Sequence, residues 1–493
     1  MADKGFSSDF MVVQCYGGGI RVMSNSLNMS VLKLLLSADS NLTEISAQLG
    51  VPKTTVQACL SRLEAERILV SYPDARDSRS TRYSPSCTLI MSSGRFSEWE
   101  TADYSDAVHN LYSDDAHVCN DTIMFYIYEL DRHGICWHPF IISIGNAVGT
   151  MLEPECTRPG DVRDIVESVF GVELREFDSD GRLTFGLVSP IHRGMELIYM
   201  GFCVFGALAE ILYLKSGRRY RYDPRVSRIS DSEVLFIGEE SPSTGFVVRP
   251  RDPRERDFRH YSMKDRFAIL EAGGGNPVLV QNDTMLSILE SIEEKPKSVG
   301  EIATELETRA VTIGSSVKRL VELGFVEPVA GRTIRNVKYR MVADRILEGD
   351  VADSGYVPGN VYDCITRFVD GETGFYQMVY EMNYFVLTCA GLRYDMLIYE
   401  VGRDAAIEIV RQNPGISAQE FLRLALKLYT KGRNPVRISS SIPVEFEIAV
   451  DPKADFNIET LYFRSLIKTG LREITGVEYP VWFKRVDRID DSG

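Results

Sequence analysis

Apolar residues recur along this chain at helical and at strand spacings, and the changes between the two divide it into segments. Between Leu42 and Tyr83, Ile45 and Leu49 share one face of a short predicted helix, and Gly50-Val51-Pro52 interrupts the pattern. A second helix follows with Val56, Leu60 and Leu63 on its inner stripe, which leaves Lys53, Thr54, Thr55, Gln57, Ser61 and Arg62 outward. The run Ile68-Leu69-Val70 then leads through a polar, basic turn from Asp74 to Arg82 and closes on Tyr83. Helix, turn, helix and basic-tipped hairpin is the layout of a winged helix-turn-helix, whose second helix fits a major groove while the wing reaches phosphates. Ahead of it, FMVVQCYGGGIRVMS reads as strand, glycine turn and strand, and MSVLKLLLS as a first helix.

The same pattern returns. Ile302 stands for Ile45, Leu306 for Leu49, Ile313 for Val56, Arg319 for Arg62 and Leu320 for Leu63, each 257 positions further on. Gly273 to Gly275 repeat the Gly17 to Gly19 triplet, and a second basic wing, Gly331 to Arg340, sets Tyr339 against Tyr83. Glycines between two strands supply the positive φ of a tight turn. No Gly-Lys-Ser/Thr follows either triplet, which favours a hairpin over a phosphate loop.

Downstream of each unit the pattern mixes strands and helices. In the first half IMFYIYEL predicts a strand, FIISIGNAVGTML a helix with small residues at Gly145, Ala147 and Gly149, and VRDIVESVFG another helix. LREFDSDGRLTFGLV predicts a hairpin, MELIYMGFCVFGALAEILYL a long apolar helix and SEVLFIGE a closing strand. The second half keeps the order. FYQMVYEMNYFVLTCAG predicts strand, YDMLIYEVGRDAAIEIVRQ a helix with Gly402 in the place of Gly145, and ISAQEFLRLALKLYT a helix. A hairpin (VRISSSIPVEFEIAV), a long helix (IETLYFRSLIKTGLREITG) and a strand (VEYPVWFKRVD) complete it. The expected class is α+β: two winged helix-turn-helix domains, each followed by an α/β sensor-like domain, in an internal pseudo-two-fold duplication. The expected boundaries are 1–92, 93–245, 246–345 and 346–493, with a Pro- and Arg-rich linker around 241–266.

Composition narrows the class. A chain of 493 residues holds several cores, and 44% hydrophobic with 25% charged residues is ordinary for a soluble globular protein. No apolar run is expected to reach the ~18 residues of a membrane span, and Met1-Ala2-Asp3-Lys4 opens no apolar signal core. Nine irregularly spaced cysteines, an odd number, do not make a secreted disulfide framework, so the expected location is cytoplasmic. A net charge of −15 excludes an indiscriminate nucleic-acid coat but not local readout, because only the docking face must be positive. Acidic residues crowd elsewhere, at Glu98 to Asp121, Glu173 to Asp180 and Glu348 to Asp370.

The candidate partner is therefore double-stranded DNA. In the first unit the candidate contacts are Lys53, Thr54, Thr55, Gln57 and Arg62 on the helix, with Arg76, Arg79 and Arg82 on the wing. In the second they are Arg309, Thr312, Ser315, Ser316, Lys318 and Arg319, with Arg332, Arg335, Lys338 and Arg340 on the wing. Arginine pairs bidentately with guanine, while hydroxyls mostly fix register on phosphate. Two units in one chain mimic the dimer that spans two half-sites, as a pseudo-dimeric monomer or within a homodimer. The competing reading is an assembly protein whose winged helices bind protein.

Histidines and cysteines gather in the first sensor-like region. His133, Cys136 and His138 lie within HGICWH, with Cys119 and Cys156 nearby. These are ligand types for zinc, haem iron or an iron–sulfur cluster, and a thiol beside a cation is a redox sensor. No CxxC or CxxCH occurs, so the cofactor stays open among metal, haem and none. Gly-x-Ser-x-Gly, Walker and His-Glu-x-x-His motifs are absent, which reads as a non-enzyme.

IISIGNAVG and YMGFCVFGALAEIL, in this order of elements, resemble the 4-vinyl reductase (hydrocarbon-binding) domain. A winged helix followed by that domain resembles the redox-responsive transcriptional regulators of methanogens. The resemblance implies sensing of a small apolar ligand, a metal or haem, or a thiol redox state. The chain departs from the family's cysteine-bearing ending, which here reads RISDSEVLFIGE.

Overall fold

The computed structural model describes residues 6–7, 9–15, 20–74, 79–93, 127, 130, 132–158, 160–179, 182–189, 195–222, 228–229, 233–240, 267–272, 277–293, 295–329, 337–348, 359–372, 374–375, 378–379, 382, 394–432, 436–441, 444–449 and 456–486. The chain divides into two compact units, Met1–Phe96 with His133–Arg393, and Ser97–Arg132 with Tyr394–Gly493.

The first unit begins with β1 (Phe6–Ser7), β2 (Met11–Cys15) and β3 (Ile20–Met23). Next come α1 (Ser26–Ser37), β4 (Ser40–Asn41), α2 (Leu42–Leu49) and α3 (Lys53–Ala65). The wing hairpin is β5 (Leu69–Pro73) with β6 (Thr81–Pro85), and β7 (Cys87–Ser92) returns to the first hairpin. Two three-stranded sheets result, in the orders β3-β2-β7 and β4-β6-β5. Val31, Leu32 and Leu35 of α1 meet Ile45, Val56, Leu60 and Leu63 in one buried cluster. Each such side chain contributes roughly 1.5–3 kcal/mol by leaving water. An isolated helix of eight residues is unstable in water, so this stripe holds α2.

The α/β region that follows has α4 (His138–Leu152), α5 (Asp161–Phe170), β8 (Glu173–Asp178) and β9 (Arg182–Val188). Then come α6 (Met195–Ser216), β10 (Tyr220–Tyr222), β11 (Arg228–Ile229) and β12 (Val234–Glu240). The sheet runs β10-β12-β9-β8, with β11 also paired to β12. The helices α4 and α6 lie along each other because glycine removes the obstacle between them. A Cβ on Gly145 would stand 2.8 Å from the carbonyl carbon of Cys203, and one on Gly206 would stand 2.9 Å from that of Ile142.

One expectation is corrected here. Leu197–Ser216 is long and apolar enough to cross a membrane by length and composition, although no such run was expected. Most of it, 83%, is buried within the fold, so packing against α4 and the sheet accounts for its apolar character.

The expected second winged unit holds β13 (Ala268–Ala272), β14 (Val278–Val280), α7 (Asp283–Ile292) and β15 (Lys297–Ser298). It continues with α8 (Val299–Glu305), α9 (Ala310–Glu322), β16 (Val326–Val329), β17 (Lys338–Met341) and β18 (Ala343–Glu348). Its sheets run β15-β17-β16 and β1-β14-β13-β18. The extra strand is β1 from the head of the chain, with Phe6 opposite Val280 and Ser7 opposite Leu279. α10 (Gly359–Val369) also belongs to the first compact unit, and the Phe368 and Phe375 rings lie 5.4 and 6.0 Å from that of Phe170.

The other unit holds α11 (Tyr394–Gln412), α12 (Ala418–Gly432), β19 (Val436–Ser441), β20 (Val444–Ala449), α13 (Phe456–Thr475) and β21 (Val481–Val486). β19 and β20 form the expected hairpin, and β21 pairs with β20 in parallel. α11 and α13 approach at Gly402, whose Cβ would meet Leu466 N at 3.1 Å. Arg132 joins this unit through Glu400 and Asp404, each at 3.4 Å.

Two strand expectations fail. Ile127 and Leu130, the described residues of IMFYIYEL, are helical and buried, and so are Phe375, Met378, Val379 and Met382 of the matching stretch. A short apolar run suits a buried helix as well as a buried strand, and periodicity alone does not separate them.

Candidate nucleic-acid interface

Both helix-turn-helix elements start from the same capping device built with different residues. Asn41 Oδ1 accepts from Thr43 N at 2.9 Å and Glu44 N at 3.0 Å, while Glu44 Oε2 accepts from Asn41 N at 2.8 Å. In the second, Ser298 Oγ accepts from Glu301 N at 3.3 Å and Glu301 Oε2 accepts from Ser298 N at 2.6 Å. Each is a reciprocal capping box that satisfies otherwise orphaned amides at the helix start. The Glu301 carboxyl is held at a pKa of about 2, first by the backbone bond from Ser298 and further by Lys338 at 3.2 Å.

The tight turn before each recognition helix needs a left-handed residue. Gly50 supplies it at φ 65° in the first unit, and Glu307, its counterpart, adopts φ 49° in the second. The turn after the helix reverses the assignment, with Arg67 at φ 61° and Gly324 at φ 76°. A side chain in this region costs about 1–2 kcal/mol, and glycine's extra freedom when unfolded takes back roughly 0.4–1. Glu307→Gly is therefore expected to stabilise the fold by roughly 0.5–1 kcal/mol. A urea midpoint that stays put or falls would show that the turn carries no such strain.

The two helices expose most of the candidate residues. On α3, Val56, Cys59, Leu60 and Leu63 are buried, and Lys53, Thr54, Thr55, Gln57, Ser61 and Arg62 are exposed. Lys53 Nζ donates to Thr43 Oγ1 at 2.9 Å, and Gln57 Nε2 reaches Ser61 Oγ at 3.5 Å. On α9, Ile313, Val317 and Leu320 are buried, while Arg309, Thr312, Ser315 and Lys318 are exposed. Ser316 and Arg319 are half-buried, and Arg319 Nη1 reaches Glu322 at 3.2 Å.

The wings are less uniform. Arg79 is exposed at the tip of the first wing. Arg82 is turned into the fold instead: it donates to the Asp39 carbonyl, reaches Asp74 at 3.3 Å and lies 3.9 Å from Glu44. Asp39 also accepts from Tyr72 Oη at 2.6 Å and pairs with Arg221 at 3.1 Å. On the second wing Lys338 and Arg340 are exposed and pair with Glu301 and Glu327. Arg76, Arg332 and Arg335 lie outside the described residues.

The cysteine and histidine candidates separate. Cys136 Sγ sits 3.5 Å from His138 Nδ1, among Trp137, Tyr199, Phe202 and Tyr222. Burial drives the His138 pKa down to about 4, so at neutral pH the ring is uncharged and offers the thiol no cation. Gly134, at φ 72°, turns the chain between His133 and His138. His133 Nδ1 instead meets Glu271 Oε2 of β13 at 2.7 Å, both buried. Glu271 escaped the sequence reading, although an acid inside the apolar strand AILEA marks a position with a buried partner. Cys156 Sγ donates to Leu152 O at 3.5 Å, and burial raises its pKa. Cys119 lies outside the described residues, among which no three His, Cys, Asp or Glu side chains gather as a metal site.

Comparison with known proteins meets this interface at one place. No curated protein and no solved structure matches the chain. Residues 29–72, from α1 through the recognition helix α3 into β5, match the IclR helix-turn-helix domain, and that likeness supports a DNA-binding transcriptional regulator.

Proposed function

We propose that the chain is a duplicated DNA-binding regulator in which two winged helices, covalently joined, read two half-sites of one duplex. The single observation that carries this is the pair of recognition helices, equivalent at an offset of 257, each burying one apolar stripe and exposing hydroxyls and cations opposite it. The IclR helix-turn-helix likeness supports the first of them. The domains in this reading are winged units at 1–92 and 246–345, followed by α/β domains at 93–245 and 346–493. The α/β domains resemble hydrocarbon-binding sensors, and a signal there is relayed as a change in the spacing or mobility of the winged helices. The uncharged His138 ring beside Cys136 favours a small apolar ligand over thiol activation as that signal.

Gel-shift titration against genomic fragments at two salt concentrations tests the reading. Binding is expected to weaken as salt rises, because phosphate contacts release counterions. Lys53→Ala and Lys318→Ala are each expected to weaken binding several-fold and lower the salt slope by about one. Both residues are exposed, so their loss leaves the fold intact. A shift that is absent or insensitive to salt would instead make the winged helices protein-binding modules.

A further inference from the structure

The two recognition helices offer different chemistry to a groove. The first turn of α3 is Lys53-Thr54-Thr55, with Gln57 exposed beside it; that of α9 is Ala310-Val311-Thr312, with Gly314 in the place of Gln57. Val311 is 85% exposed, the most exposed large apolar side chain described. An isolated exposed valine is ordinary on a protein surface. This one sits inside the cationic frame that would hold DNA, one turn from Ser315 and between Arg309 and Lys318, all exposed. Its counterpart in the other copy is the polar Thr54.

Three methyl-bearing side chains, Ala310, Val311 and Thr312, thus stand together where α3 presents an ammonium and two hydroxyls. In the major groove the one apolar group on a base edge is the C5 methyl of thymine. We infer that α9 reads thymine through Val311, while α3 reads its half-site through the polar donors Lys53 and Gln57. This rests on the DNA-binding reading and deepens it. The two half-sites then differ in sequence, and the chain binds its operator in one orientation only, unlike a symmetric dimer on a palindrome.

The test uses the full chain and a duplex enriched by it from a random pool, prepared with thymine or with deoxyuridine, which lacks only the methyl. Removing one thymine methyl that Val311 covers is expected to weaken wild-type binding about fourfold, the equivalent of about 0.8 kcal/mol for one buried methyl-sized group. Val311→Ser is expected to bind both duplexes alike. Wild-type indifference to deoxyuridine on a duplex that it binds overturns the inference, as does an undiminished preference in Val311→Ser. Failure to enrich or bind any duplex takes down the DNA-binding reading itself, and this inference with it.

Discussion

Gly145→Ala is expected to destabilise the first compact unit by about 3 kcal/mol, at the upper end of what overpacking one methyl into a filled interior does. The added Cβ would lie 2.8 Å from the Cys203 carbonyl carbon and 3.0 Å from Ala207 N, both backbone atoms. A flexible side chain could swing aside; a helix backbone cannot. The helices α4 and α6 must separate along their shared length, and the side chains packed between them are all drawn apart together. Gly149 repeats the constraint one turn on, where a Cβ would stand 2.9 Å from Ala207 Cα. Gly160→Ala is the control, because nothing lies within 4 Å of its would-be Cβ. Urea unfolding followed by circular dichroism reads the difference. Equal midpoints for Gly145→Ala and Gly160→Ala would mean that the two helices are not locked at this crossing. Gly402→Ala is expected to act on the other unit in the same way, since its Cβ would meet Ser465 Cβ at 2.9 Å.

The parts of the fold that were legible in the sequence are those where one local pattern decides the structure. Ile45, Val56, Leu60 and Leu63 define a stripe whose burial leaves no second arrangement for α2 and α3, and Ile302, Ile313 and Leu320 do the same for α8 and α9. Gly145 and Gly402 were visible as small residues, though the reason for them, a carbonyl on a neighbouring helix, was not. The stretches around Ile127 and Met378 read as strands because an unbroken apolar run carries no period. The pairing of β1 with β14 was invisible for another reason. It joins two residues near the start to a strand more than half the chain away, and a two-residue strand has no pattern of its own. The same holds for the site. The outward residues of α3 follow from its inner stripe, but the commitment of Arg82 to Asp39, Asp74 and Glu44 depends on where three separate segments meet.

His133→Ala is expected to cost about 1–3 kcal/mol, the penalty for leaving a buried polar group without its hydrogen-bond partner. His133 and Glu271 are 2% and 4% exposed and share a 2.7 Å contact, so removing the imidazole leaves the Glu271 carboxyl in an apolar strand without that partner. Glu271→Ala is expected to be similarly harmful. The double variant His133→Ala/Glu271→Ala should fall short of the sum of the two by about 0.5–3 kcal/mol, which a double-mutant cycle in urea measures directly. Simple additivity would mean that the contact contributes nothing of its own. The pair's position gives it meaning beyond stability. His133 directly precedes the Gly134 turn, and Ile135 bridges to Met91 on β7 of the first winged unit, whereas Glu271 belongs to β13 of the second. Among the described residues it joins β1 on β14 as a place where the chain of the first half reaches the hairpin of the second. Replacing both partners of a buried hydrogen bond by apolar groups of similar shape is nearly neutral. His133→Leu/Glu271→Leu is therefore expected to stay folded near wild-type stability, with a urea midpoint close to that of the unaltered chain. A midpoint as low as that of either single variant would mean that the two leucines do not fill the space the pair leaves.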